Sequence, residues 1–91
     1  MNQTIEMHAD SAVAYAARAN LERQLKLDEA ALYDWQRAEQ LAPKDPTYAV
    51  SHADLLIVLE RREEARRVLD EAVKRGIPKG MLLEWYDKCK R

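Results

Sequence analysis

The chain has 91 residues, 47% of them hydrophobic, with a net charge of −1, two glycines, three prolines and one cysteine. That length and composition describe one small globular domain and exclude a disordered or strongly charged chain. Few turn residues argue against an all-β fold, no apolar run approaches the 18 residues of a membrane span, and a lone Cys89 cannot close an internal disulfide, which fits a reducing compartment.

Residues 1–9 carry no periodic pattern and no basic, Leu-rich signal, and 1–10 read as a loose leader. Asp10 or Ser11 is suited to cap a helix over "SAVAYAARANLERQLK", which is rich in helix formers. Asp28 is a second cap candidate, before "EAALYDWQRAEQLA", where Ala31, Leu32, Trp35, Ala38 and Leu41 follow a helical repeat. "PKDP" breaks the chain at 43–46, with Asp45 as cap and Pro46 at the first helical position. A third helix runs from Pro46 to about Glu60. A fourth, "REEARRVLDEAVKR", closes at Gly76, a natural left-handed terminus. Its Glu63–Arg67, Asp70–Lys74 and Glu71–Arg75 spacings predict i,i+4 ion pairs on a solvated face. After "IPKG", "MLLEWYDKCK" forms a last helix with Leu82, Trp85, Tyr86 and Cys89 in register. The fold class is therefore all-α, about five helices with short connections and antiparallel neighbours.

Displacing the chain by 34 residues pairs Ala19 with Ala53, Leu21 with Leu55, Leu25 with Leu59, Glu29 with Glu63, Ala31 with Ala65 and Ala38 with Ala72. Small residues recur where two helices must approach closely, and leucine recurs at core spacing. Residues 12–45 read Tyr15-x2-Arg18-Ala19, then Ala31-x3-Trp35, Ala38 and Pro43. Residues 46–79 read Ala49-x2-His52-Ala53-x2-Leu56, then Ala65-x3-Leu69 and Ala72, with Pro78 one position late. The pattern resembles the tetratricopeptide repeat family, whose 34-residue unit is a helix–turn–helix. The resemblance implies stacked helical hairpins: repeat one at 12–45, repeat two at 46–79 and a solvating helix at 80–91. Glu22 replaces an aromatic residue of the family pattern, which implies looser packing at that corner.

In such an array the first helix of each repeat lines a concave groove. The resemblance places Val13, Ala16, Ala17, Asn20, Arg23 and Gln24 there from repeat one, and Thr47, Val50, Ser51, Asp54, Ile57 and Val58 from repeat two. The same register carries Met81, Trp85 and Lys88 to the groove side of the last helix, although Trp85 can equally pack against the fourth helix. The family's best-known ligand is the carboxylate tail of a heat-shock chaperone. Asn20 stands where one clamp asparagine would. Ala16, Ser51, Met81 and Trp85 lack the remaining Lys, Asn and Arg groups, so that clamp is not expected.

The run Leu55–Leu59 could be a strand by propensity, but its flanks are helical. As a helix it sets Leu55, Leu56 and Leu59 toward the core and leaves Val50, Ile57 and Val58 on the other side, apolar surface of the kind that marks an interaction site.

Chemistry is scarce. His8 falls in the leader, His52 at a core-facing repeat position, and Cys89 near the chain end without a nearby histidine. These do not make a zinc site or a catalytic set, and Gly76 and Gly80 form no phosphate loop. Arg61, Arg62, Arg66 and Arg67 are interleaved with Glu60, Glu63 and Glu64, which argues against nucleic acid. The sequence reading is a cytoplasmic, non-catalytic, cofactor-free adaptor, scaffold or small chaperone-type module. It would bind a peptide or amphipathic helix; the alternative is a homodimer through the exposed apolar helix face.

Overall fold

A computed structural model describes residues 11–90. The expected leader, 1–10, and Arg91 lie outside the described residues. Five α-helices are present among them: α1 (Ala12–Gln24), α2 (Asp28–Leu41), α3 (Pro46–Val58), α4 (Arg62–Lys74) and α5 (Leu83–Cys89).

Two of the helix starts are capped as their sequences dictate. The Ser11 Oγ accepts from the Ala14 amide at 3.1 Å, and the Asp45 Oδ1 accepts from the Thr47 amide at 2.9 Å with Pro46 behind it. The other two long helices begin without a side-chain cap. Leu27 and Arg61 hold those positions, and Asp28 is the first helical residue rather than the cap. Acidic pairs in the first turns, Asp28 with Glu29 and Glu63 with Glu64, face the positive end of the helix dipole instead.

The helix ends repeat as faithfully as the starts. Lys26 and Glu60 adopt left-handed φ values of 65° and 62°. After α1, the Lys26 amide reaches Arg23 O and the Leu27 amide reaches Glu22 O. After α3, Glu60 reaches Ile57 O and Arg61 reaches Leu56 O. Each pair of bonds satisfies carbonyls that a helix end leaves open. Gly76, at φ 109°, turns the chain after α4 as expected.

Neighbouring helices pack in sequence, α1 on α2, α2 on α3, α3 on α4 and α4 on α5, and α3 also touches α5. The core between them holds Leu32, Trp35, Leu55, Leu56, Leu69, Ile77 and Leu82. Seven alanines, at 19, 31, 38, 49, 53, 65 and 72, are wholly out of contact with solvent. A methyl group at each of these points lets two helix backbones approach where a larger side chain would hold them apart.

Two expectations need correction. The last helix starts at Leu83, because Lys79–Leu82 form a tighter 3-10 turn after Pro78. The ion pairs foreseen within α4 give way to bonds between elements. Arg75 reaches Glu39 (3.2 Å) and the Pro43 carbonyl (2.8 Å), and Asp70 accepts the Tyr86 hydroxyl at 2.6 Å. Lys74 lies 3.9 Å from Glu71, three residues away, rather than pairing with Asp70. For Arg75 the buried Glu39 carboxylate offers a stronger field than the water-exposed Glu71.

Candidate interaction face

One ion pair links the first and third helices. Arg23 on α1 reaches Asp54 on α3, with Nη1 and Oδ2 3.3 Å apart and both side chains about one-third exposed. Above this bridge α1 offers Val13, Ala17, Asn20 and Gln24 to solvent, Val13 at 67% exposure. Thr47 and Val58 do the same on α3, Val58 at 59%, with Ser51 half-buried between them. Asp54, already paired with Arg23, leaves this strip with little net charge.

The other expected groove residues sit deeper. Ala16, Val50, Ile57 and Trp85 are partly buried against the core cluster. Ile57 therefore contributes to packing, and Val58 carries most of the apolar surface left over from the Leu55–Leu59 run. Trp85 packs on the core, and Lys88 Nζ of the same helix lies 5.7 Å from its ring centre. Met81, 54% exposed, stands in the 3-10 turn.

On the opposite side, α2 and α4 border a cleft of about 660 Å³ lined by Gln36, Gln40, Pro43, His52, Val68 and Arg75. Glu39, 7% exposed, anchors it, accepting from His52 of α3 and from Arg75 just past α4. Arg61 closes the next stretch, giving Nη1 to Glu29 at 2.7 Å and its Nε and Nη2 to Glu64 at 2.6 and 2.8 Å. These charges cancel one another across the helices and pin the two hairpins together. Sequence reasoning did not single out this cleft. Its one sequence signal was that Glu39 falls within the apolar stripe of α2, where a carboxylate needs a partner.

Asp34 finds its partner on α1. Arg18 grips it with two bonds, Nε at 2.8 Å and Nη2 at 3.0 Å, and Asp34 is 2% exposed. Arg18 also lies 5.3 Å from the Tyr15 ring, and Arg37 approaches that ring at 5.6 Å. The Arg18 guanidinium holds the Asp34 carboxyl below its ordinary range. Glu22 meets Asp34 from the same helix as Arg18. Two carboxyl groups can bond only by sharing a proton, and that contact, aided by burial, pushes Glu22 up to about 6. The buried Glu22 Oε1 receives no N–H or O–H donor from elsewhere among the described residues.

Of the reactive side chains weighed from sequence, His8 lies outside the described residues. His52 is occupied by Glu39, and Cys89 is half-buried with its thiol pushed up, chiefly by burial. No helix among the described residues is long and apolar enough to cross a membrane. No protein-family model matches the chain, and neither a curated protein nor a solved structure matches it.

Proposed function

We propose that the chain is a two-repeat, tetratricopeptide-like array closed by a short C-terminal helix, acting as a non-catalytic protein-interaction module. Its ligand is a peptide or amphipathic helix laid across the face that α1 and α3 share. The backbone supports the repeat reading: helix starts and left-handed turns recur at the same 34-residue spacing as the side chains. One observation carries the binding reading. The Arg23–Asp54 bridge ties α1 to α3, and Val13 and Val58 stand exposed on these two helices in a nearly neutral surround.

Such a face suits an apolar or amphipathic segment better than a charged tail, because its ion pair is already satisfied. Adaptor, scaffold and small chaperone-type roles in the cytoplasm all fit this use. Self-association through the α3 face, the other reading, has less to work with now that Val50 and Ile57 pack inward.

The test is capture of partners from the source cell by the wild-type chain and by Val58→Glu. Val58 is exposed, so the change should alter stability by no more than about 0.5 kcal/mol. A partner retained by the wild type and lost from the variant is the expected result; equal retention would place binding elsewhere.

A further inference from the structure

Three of the four long helices reach the core with large side chains: α2 with Leu32 and Trp35, α3 with Leu55 and Leu56, and α4 with Leu69. The first helix does not. Ala19 is the one residue of α1 that is fully buried, while Val13 and Leu21 stay 67% and 55% exposed. A methyl group removes far less apolar area from water than a leucine, so hydrophobic burial holds α1 more weakly than its neighbours.

Polar groups supply much of what else ties α1 down. Arg18 gives Nε and Nη2 to Asp34 of α2, Arg23 reaches Asp54 of α3, and Arg37 of α2 stands 5.6 Å from the Tyr15 ring. Glu22 is the member of this set whose charge nothing answers. Its Oε1 is buried without a donor among the described residues. Two charged groups act on it, Asp34 across the helix pair and Arg18 on its own helix. Arg18 is already spent on both oxygens of Asp34, Arg23 lies on Asp54, and Arg37 gives its Nη1 to Gln40. As an acid, Glu22 donates to Asp34 and completes the cluster. As an anion it is a second carboxylate beside one that is 2% exposed, with no donor to receive it.

We propose that Glu22 is a proton latch on α1: protonated, it bonds Asp34 and seats the helix on α2; ionised, it repels Asp34 and lets α1 open apart from the rest of the molecule. The Asp34 contact, with burial adding to it, pushes Glu22 up to about 6, so the latch changes state between mildly acidic and neutral solution. Val13, Ala17, Asn20 and Gln24 ride on α1, so the latch governs half of the α1–α3 strip, and the strip is better formed in acid. That regulatory role rests on the ligand reading above; the latch itself does not.

Native-state hydrogen exchange of the free chain tests the latch without any ligand. Amide rates are read by NMR near pH 5 and near pH 7.5 and corrected for the intrinsic effect of pH, with and without low urea. The α1 amides should exchange through a local opening that low urea does not promote, whereas those of α4 require global unfolding. Between the two pH values the α1 opening should become roughly tenfold more frequent. Glu22→Gln is neutral throughout and can still donate to Asp34, so it should keep α1 closed at both. Every other titratable group, His52 on Glu39 included, is common to the two proteins, and the comparison isolates Glu22. Amides of α1 that open only together with α4, with the same urea sensitivity, overturn the inference. So does a local opening equally frequent at both pH values, or one that Glu22→Gln leaves dependent on pH. None of these results touches the ligand reading, which the Val58→Glu capture tests separately.

Discussion

Lys26 and Glu60 stand 34 residues apart and hold the same left-handed backbone conformation, each one residue past the C-cap of its helix, α1 and α3. A left-handed residue with a Cβ costs roughly 1–2 kcal/mol, and glycine removes that cost while giving back part of it in unfolded-state entropy. Both side chains are exposed. Lys26→Gly and Glu60→Gly are each expected to stabilise the protein by about 0.5–1 kcal/mol in urea unfolding. Destabilisation by either would mean that the side chain does more than occupy the turn.

Glu22 links stability to pH. Its folded value, about 6, lies above its ordinary 4.5 because it shares a proton with Asp34. A raised value favours the folded state while the proton is on, so this contribution is complete below 4.5 and is lost as pH rises through about 6. Asp34 acts oppositely: Arg18 lowers its value, so its contribution holds above its ordinary 3.8 and is lost as pH falls below that. The melting temperature should therefore fall as pH rises from near 4.5 to 7. Glu22→Gln should flatten that slope and be the more stable protein at neutral pH. An unchanged slope would exclude the shared proton.

Glu39 is the joint between the hairpins, since one buried carboxylate holds both His52 and Arg75. Glu39→Ala strands two donors and is expected to cost about 2–3 kcal/mol, with Glu39→Gln in between. The loss should be cooperative across the molecule, read as a shifted midpoint with an unchanged denaturant slope. A cost below about 0.5 kcal/mol, the usual range for surface sites, would mean that apolar packing alone holds the hairpins.

Leu21 and Leu55 share a repeat position and little else, 55% against 1% exposure. Leu55→Ala should cost about 2–5 kcal/mol through transfer and cavity terms. Leu21→Ala should cost less than about 1 kcal/mol. Similar costs for both would contradict the open edge on hairpin one.

The helices were legible because their signals are local. Ser11, Asp45, Pro46 and Gly76 act at the places where their chemistry requires, and the small residues at Ala19, Ala31, Ala53 and Ala65 mark the close approaches. What a periodic pattern cannot supply is the environment on each side of a helix. Ile57 and Val58 are adjacent and chemically alike, yet one packs against the core and the other stays in water. The charges of α4 misled for the same reason. Arg75 and Asp70 have suitable neighbours on their own helix, but Glu39 and Tyr86, distant in sequence, lie nearer in space.

The proposed ligand face is the α1–α3 strip, and the α2–α4 cleft is the other concave surface described. The most direct measurement titrates a captured partner segment into the isotope-labelled chain and follows backbone amide shifts by NMR. The account places the largest shifts at Val13, Ala17, Asn20, Thr47, Ser51 and Val58, with the cleft unmoved. Shifts centred on Gln36, Gln40, His52 and Val68, with the α1–α3 strip silent, would contradict it.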